Sequence, residues 1–473
     1  MANNFSFFIY DYESFGISPS KDRPAQFAGI RTDADFNIIG EPVMLYCKQT
    51  NDYLPSPEAV MVTSITPQEC NEKGIAEPEF AEKILAEFSQ PNTCVMGYNN
   101  IRYDDEMTRY TFYRNFIDPY EYSWKNGNSR WDLLDVVRAC YALRPEGIQW
   151  CFDEEGIPNF KLENLTKVNG IEHENAHDAM ADVYATIAMA KLIKEKQPKL
   201  FQYFFENRGK KEVEKLINTA EMTPLVHVSG MLGNYRGNCT WIAPLAWHPT
   251  NQNAVIVCDL MGDIDNLLAK SADKLRDDLY TKKSELEKRG VPSVPLKLVH
   301  INKCPIIAPA KTLLPENAKH LGIDRQLCLE NLAKLRASFD IREKVADIFI
   351  EERQFEQSDN VETELYSGFF SHADKNNMAI LRQLPAEKLA EHGLSFEDKR
   401  IPDLLFHYRA RHFYKTLTRP EQIKWQKYRQ RKLEQSAADF EASLQRLANE
   451  NADNQENLAL LQQVYEYGIK LLG

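Results

Sequence analysis

Apolar positions near the start of the chain fall in short runs bounded by polar and turn residues. Phe7-Phe8-Ile9-Tyr10 leads into Asp11, Ala25-Gln26-Phe27-Ala28-Gly29-Ile30-Arg31 alternates loosely, and Val43-Met44-Leu45-Tyr46-Cys47 follows. That spacing predicts three strands. The period then changes. Thr66-Pro67-Gln68-Glu69 has the form of a capping box with proline at the first helical position, and apolar residues at helical spacing predict a helix over 77–88. Thr93-Cys94-Val95-Met96-Gly97 reads as a short buried strand, and helices are expected near 103–116, 130–143, 161–169 and 178–196. Strands first, with helices interleaved after them, predict an α/β domain with a mixed sheet over 1–196.

Beyond Gln197-Pro198 the pattern shifts again. Leu225-Val226-His227-Val228, Thr240-Trp241-Ile242-Ala243 and Ala254-Val255-Ile256-Val257-Cys258 read as strands separated by Gly, Asn and Pro turns. A charged helix is expected over 264–288, after which Pro295-Leu296-Lys297-Leu298-Val299-His300 resumes strand character. This predicts a small β domain with a helical insertion over 197–350. From about Asp324 the pattern is almost wholly helical, and a helical domain is expected over 351–473. A chain of 473 residues is too long for one ordinary core, so a multidomain protein is the expectation.

Composition narrows the class. Hydrophobic residues at 43% and charged residues at 27% are ordinary globular values, and no apolar run approaches the roughly 18 residues of a membrane span. Met-Ala-Asn-Asn-Phe-Ser lacks the basic start and apolar stretch of a signal peptide. The nine cysteines contain no Cys-x-x-Cys pair and lie mostly in apolar segments, which suits buried thiols in a reducing cytoplasm. A net charge of −12 argues against nucleic acid only as a sum. Residues 400–432 hold ten Lys or Arg against two acids, and could line a groove or form a solvated helix face. No heptad seam appears, so a monomer is expected.

Candidate chemistry lies in the first 182 residues. Asp11 and Glu13 are two apart on a predicted strand, so both carboxylates point to one face. Asp104 opens a predicted helix just after Gly97-Tyr98-Asn99-Asn100-Ile101-Arg102-Tyr103, and Asp182 sits on the helix expected over 178–196. Acids embedded in apolar patterns are costly to bury unless a cation compensates them. Oxygen donors of this kind suit Mg²⁺ or Mn²⁺, and two ions about 4 Å apart would relieve the repulsion and serve phosphodiester hydrolysis. His177, five residues before Asp182, is the candidate base, because a pKa of about 6.5 suits proton transfer at neutral pH. Asp105 and Glu106 compete with Asp104, and Asp178 with Asp182.

Asp-x-Glu, a middle Asp after Gly-Tyr-Asn-Asn, and His-x4-Asp resemble the three motifs of DEDDh 3′→5′ exonucleases. Asp22-Arg23-Pro24-Ala25-Gln26-Phe27-Ala28, Asn128-Ser129-Arg130-Trp131-Asp132-Leu133-Leu134-Asp135 and His173-Glu174-Asn175-Ala176-His177-Asp178-Ala179-Met180-Ala181-Asp182 are similar to the bacterial exonuclease I family in particular. Leu225-Val226-His227-Val228-Ser229-Gly230-Met231 and Val299-His300-Ile301-Asn302-Lys303-Cys304-Pro305 extend the likeness, which covers essentially the whole chain and is weakest after about residue 370. The resemblance implies an RNase H-like nuclease domain, an SH3-like β domain and a C-terminal helical domain. It implies processive release of 5′-mononucleotides from the 3′ end of single-stranded DNA, and a role in repair and recombination. Asp11, Glu13, Asp104 and Asp182 would be the metal carboxylates, His177 the base, and Glu13 a contact to the terminal nucleotide. The family's arginine near the substrate is Lys161 here, which keeps the charge and loses the bidentate fork.

Nine of the 31 residues from Ile101 to Trp131 are aromatic, against 11% for the chain, and basic residues interleave with them. Such a composition suits a single-strand track, since every base has a π face. Tyr110, Phe112, Tyr113 and Phe116 could instead pack a helix. By resemblance, Arg109, Tyr120, Trp124 and Arg138 would touch DNA. Arg144 would anchor the acidic C-terminal tail of single-stranded DNA-binding protein. An RNA-trimming exonuclease shares the metal motifs. A non-catalytic strand-binding protein is disfavoured by retention of all four acids and His177, and a small-molecule phosphodiesterase by the aromatic-basic track.

Overall fold

The computed structural model describes residues 5–173, 178–350 and 360–473. The chain divides into two compact units, Met1–Arg130 with His173–Ile187 and Gln357–Gly473, and Trp131–Glu172 with Ala188–Glu356. The first unit thus joins the two ends of the sequence.

Strands β1 (Ser6–Ser14), β2 (Pro24–Thr32), β3 (Val43–Tyr46), β4 (Thr93–Gly97) and β5 (Ser129–Asp132) form one sheet in the order β3-β2-β1-β4-β5. β1 is antiparallel to β2 and parallel to β4, so the sheet is mixed, as expected. Alternate side chains of central β1 divide between the two faces. Phe8, Tyr10 and Tyr12 enter a core with Phe27 and with Phe80, Phe88, Met107 and Phe112 of the helices Glu77–Phe88 and Asp104–Arg114. Full burial of such a side chain contributes about 1.5–3 kcal/mol, and this layer fixes β1. The opposite alternation carries Asp11 and Glu13. Gly97 ends β4 where a Cβ would lie 2.8 Å from the Tyr10 carbonyl oxygen, so only glycine permits that approach.

Some boundaries differ from expectation. The helix expected over 130–143 starts at Leu133, because Ser129–Asp132 pairs as a strand and Asp132 caps the helix, its Oδ1 accepting the Leu134 N–H at 3.0 Å. Thr66 Oγ1 accepts the Glu69 N–H at 3.2 Å, but the Glu69 carboxylate turns to Lys73 at 2.7 Å. A complete reciprocal box stands at Thr418 and Glu421, opening the helix Arg419–Glu450.

In the second unit a short hairpin, β6 (Cys151–Phe152) with β7 (Pro158–Asn159), precedes a five-stranded antiparallel sheet. Its strands are β8 (Leu225–Val228), β9 (Cys239–Trp247), β10 (Ala254–Asp259), β11 (Leu296–His300) and β12 (Ile306–Pro309), in the order β11-β10-β9-β8-β12. Pro244 is tolerated inside β9 because the register shifts opposite it, between Ile256 and Val257. Between β10 and β11 the single charged helix expected over 264–288 is three short ones, Ile264–Ala269, Ala272–Tyr280 and Lys283–Lys288. Ser271 breaks the run by capping the second, its Oγ accepting the Lys274 N–H at 3.5 Å.

Helices Arg419–Glu450 and Gln455–Leu472 form a hairpin in the first unit. Leu433, Phe440, Leu444, Val464 and Tyr467 pack on Phe15, Tyr53, Leu54, Val60 and Ile65 from the N-terminal segment. Beside this contact lies a buried ionic cluster. Arg23 donates to Glu362 at 2.6 Å, Arg411 pairs with both Glu362 and Asp52, Lys432 reaches Asp52 at 2.9 Å, and Arg114 holds Glu77 at 3.1 Å. Burial opposes ionisation of these acids, yet the cations prevail. Arg411 and Lys432 hold Asp52 well below the usual carboxylate range, Arg411 and Arg23 do the same for Glu362, and Arg114 with Arg23 brings Glu77 to about 2. Of the basic residues in 400–432, Arg400, Arg409, Arg411 and Lys432 are therefore engaged in ion pairs within the unit. Lys415, Arg419, Lys424, Lys427 and Arg431 are exposed.

Among the described residues no helix is long and apolar enough to cross a membrane. Cys47, Cys70, Cys94, Cys140, Cys239, Cys258 and Cys328 are buried, and Cys151 and Cys304 are half-buried.

Glu362→Gln leaves Arg23 and Arg411 facing a neutral amide, and the expected loss is about 3–5 kcal/mol in urea unfolding of the first unit. The three depressed carboxylates add stability above their unfolded pKa values, and that stability is lost as pH falls toward 2. A melting temperature that holds steady in the wild type from pH 5 to about pH 2 would contradict this account.

Candidate active site

The end of β1 delivers the first two acids. Asp11 pairs with Ala28 and Glu13 with Gln26 of β2, and a register shift follows between Glu13 and Ser14. Gln26 links the sheet to the helix that brings the next acid, because its Oε1 accepts the Ala179 N–H at 3.2 Å. That N–H belongs to the first residue of the helix Ala179–Lys196, which carries Asp182 in its first turn. Asp11, Glu13 and Asp182 each offer a carboxylate oxygen, and these atoms lie within 4.8 Å of one another. All three residues are half-buried.

Asp104 stands apart from this trio. Its side chain is buried and its Oδ1 accepts the Tyr12 N–H at 3.1 Å, which ties the start of its helix to β1 between the two acids of that strand. Asp104 is still near enough that its charge raises the pKa of both Asp11 and Glu13. The competitors named from the sequence have other work. Asp105 is wholly buried, accepts the Tyr10 hydroxyl at 2.6 Å and pairs with Arg130. Glu106 pairs with Arg109 at 3.1 Å. Asp178 caps the helix of Asp182, its Oδ1 accepting the Met180 and Ala181 N–H groups at 3.1 Å.

Electrostatics sets the trio apart from the ionic cluster of the same unit. Burial pushes the Asp11 carboxyl well above its ordinary value, and Asp104, Glu13 and Asp182 push it further. Glu13 is raised to about 9 by burial and by Asp182, Asp104 and Asp178. Converging acids that cannot all ionise, each offering a carboxylate oxygen, fit hard divalent cations such as Mg²⁺ or Mn²⁺.

His177 lies outside the described residues. Sequence reasoning passed over His173, whose Nε2 stands 2.6 Å from Asp182 Oδ1 and whose side chain is almost fully buried. Its signal was its place four residues before His177 in the same run.

Of the predicted strand contacts, Arg109, Tyr120 and Trp124 share the first unit. Arg109 is nearly buried, donates to the Tyr366 hydroxyl at 3.2 Å and lies over the Tyr120 ring, 5.3 Å from its centroid. Tyr120 meets Phe369 edge-on at 5.5 Å. Trp124 is 60% exposed, and Phe369, which sequence reasoning missed, is 82% exposed. Tyr110, Tyr113 and Phe116 pack instead with Leu365, Met378 and Leu404, and Phe112 joins the core beneath β1. The second unit holds Lys161, Arg138 and Arg144. Lys161 is exposed, 3.6 Å from Glu163, and Arg138 pairs with Asp135 at 2.7 Å. Arg144 donates to the Thr312 carbonyl at 3.0 Å and lines a cavity of about 360 Å³ with Pro198, Leu200 and Tyr203.

The sequence matches the family models described as Exonuclease over residues 8–190, Exonuclease I SH3-like domain over 208–351 and Exonuclease I C-terminal domain over 359–471. It is 85% identical over 473 residues to exodeoxyribonuclease I of Haemophilus influenzae, covering 100% of both chains. The chain belongs to the exodeoxyribonuclease I family. The exodeoxyribonuclease I of Escherichia coli is 55% identical over 471 residues, 99% of this chain and 98% of that one. The crystal structure of E. coli exonuclease I with a dA16 oligonucleotide superposes with a TM-score of 0.97 at 54% identity, over 99% of this chain and 100% of that one. Other solved forms of the E. coli exonuclease I include a zinc-bound complex with single-stranded DNA (TM-score 0.95, 54% identity, 100% of both chains). A solved SSB/exonuclease I complex with an inhibitor is also similar (TM-score 0.92, 53% identity, 99% of this chain and 100% of that one). The three-part exonuclease I architecture, with an exonuclease domain, an SH3-like domain and a C-terminal domain, is thus that of this chain.

Because Glu13 is raised to about 9, a cation entering the trio must displace protons at neutral pH. Mn²⁺ binding is expected to release protons and to tighten as pH rises toward 9. Calorimetry in buffers of different ionisation enthalpy reads the release directly, and a proton-neutral, pH-independent affinity would contradict it.

Proposed function

We propose that this chain is a Mg²⁺-dependent 3′→5′ exodeoxyribonuclease that removes 5′-mononucleotides processively from single-stranded DNA. The observation that carries this reading is the convergence of Asp11, Glu13 and Asp182 at one end of β1, in a chain of the exodeoxyribonuclease I family. Asp11, Glu13, Asp104 and Asp182 would hold two divalent ions, with Mn²⁺ an alternative to Mg²⁺. Such ions supply electrostatic stabilisation of the charge that builds up on the scissile phosphate and leaving oxygen.

In the proposed reaction His177 takes the proton of the attacking water, and Glu13 also positions the terminal nucleotide. Arg109, Tyr120, Trp124, Lys161 and Arg138 guide the strand. The exposed rings of Trp124 and Phe369 and the cation over Tyr120 support an aromatic track. Lys161 offers a point charge where the family uses an arginine. The Arg144 cavity, a cation over an apolar bed, suits the C-terminal carboxylate and hydrophobic residues of the tail of single-stranded DNA-binding protein. We assign the domains to residues 1–196, 197–350 and 351–473, the active species to a monomer, and the setting to DNA repair in the cytoplasm.

Labelled single-stranded DNA and matched RNA, incubated with Mg²⁺ or EDTA, test the reading. Metal-dependent release of mononucleotides from DNA 3′ ends is expected, and equal or faster loss of RNA would overturn the DNA assignment. Asp11→Asn is expected to abolish cleavage with strand binding preserved, and wild-type turnover in that variant would sink the metal site. His177→Ala is expected to slow cleavage by about 10²–10⁴-fold at near-normal DNA affinity, and an unchanged rate would remove His177 from the reaction.

A further inference from the structure

We propose that His173 is a positioning residue for the metal site, acting by fixing the carboxylate of Asp182. The proposal rests on the reading of Asp11, Glu13 and Asp182 as metal ligands, and concerns what holds the third of them in place.

Asp11 and Glu13 are carried by the central strand of a sheet whose far face is packed with aromatic side chains, so their backbone is fixed. Asp182 is placed differently. It comes from the first turn of a helix whose start is held by one hydrogen bond from Ala179 to Gln26 and by the Asp178 cap. These hold the helix backbone, whereas the carboxylate of Asp182 turns on two side-chain torsions of its own. Repulsion from Asp11 and Glu13 favours rotamers that turn Asp182 out toward solvent, and its side chain is 21% exposed, so there is room to turn.

His173 opposes that rotation. Its Nε2 stands 2.6 Å from Asp182 Oδ1, a short distance of the charge-assisted class. With Asp182 ionised, as a metal ligand must be, its carboxylate only accepts and the Nε2–H donates. The imidazole is itself held, with only 4% of its side chain exposed. An acid restrained through one oxygen presents the other in a fixed direction. Outer partners that orient a ligating carboxylate in this way are worth about 10–100-fold in metal affinity or activity. His173 lies against Asp182 and is assigned no contact with substrate or with the reacting atoms. It therefore differs in kind from the base proposed for His177.

The test uses the full chain and Mn²⁺ alone, read by electron paramagnetic resonance or calorimetry without DNA. His173→Ala is expected to weaken Mn²⁺ binding by about 10–100-fold and to raise the Mg²⁺ concentration needed for half-maximal cleavage by a similar factor. Binding of single-stranded DNA in EDTA, followed by fluorescence anisotropy, is expected to stay within about twofold of wild type. His173→Gln places an amide N–H at the reach of Nε2 and is expected to recover most of the Mn²⁺ affinity. An Ala variant with wild-type Mn²⁺ affinity would overturn the proposal. So would a Gln variant as impaired as Ala, or joint loss of DNA binding and melting temperature in Ala, which would mark a packing role. Wild-type protein and Asp11→Asn serve as the reference pair. If the wild type binds Mn²⁺ no better than Asp11→Asn, the metal site itself fails, an outcome separate from failure of His173 alone.

Discussion

Like charges brought together in a half-buried cleft repel, and much of the first unit can be understood as the scaffold that holds them there. Asp11 and Glu13 occupy one alternation of a strand whose other alternation is locked by aromatic packing. Moving either acid away from its neighbours would mean slipping β1, and a slip of one residue would carry Phe8, Tyr10 and Tyr12 out of their core to the other face. The core therefore holds the carboxylates against their mutual repulsion. Tyr12 contributes twice, through its ring in the core and through its backbone N–H to Asp104, so the helix bearing the middle acid is tied to the strand between the other two.

The same unit shows what acids of this kind do when they are compensated. Asp52, Glu362 and Glu77 are buried, and each meets one or more guanidinium or ammonium groups. Their pKa values fall. Asp11 and Glu13 rise, since burial and neighbouring carboxylates act in one direction. Opposite shifts for the same chemical group within one compact unit separate a structural ion cluster from a group of acids that, on the proposed reading, serves a divalent cation. Asp104 and Asp105 are adjacent in sequence and divide along this line: Asp105 meets Arg130, whereas Asp104 faces the trio.

This contrast also explains what was legible in the sequence. The strand bearing Asp-x-Glu, the helix start at Asp104 and the helix of Asp182 follow from local period and caps, which are short-range properties. The choice between Asp104 and Asp105 is not local, because it depends on Tyr10 and Arg130 arriving from elsewhere in the sheet. The capping geometry of Asp178 is likewise not legible from the run that contains it. The basic stretch 400–432 is only partly legible for a similar reason. A count of charges cannot show that Arg411 and Lys432 meet Asp52, more than 350 residues earlier in the chain. Phe369 escaped notice because one exposed ring carries no periodic signal, and His173 because the motif nearby drew attention to His177.

The ion cluster bears on how a strand can be gripped. The arginines that a sequence count assigns to a groove are in part the ones that join the C-terminal segment to the N-terminal one, and their charge is met by acids at close range. Such pairs present little net field to a phosphate. In the first unit, aromatic rings lie among the predicted contacts, with Trp124 and Phe369 exposed and the half-buried ring of Tyr120 under Arg109. A chain with a net charge of −12 meets its polyanionic substrate, on the proposed reading, through base stacking reinforced by a few well-placed cations. Stacking also tolerates any sequence, which is what an enzyme that steps along a strand one nucleotide at a time requires.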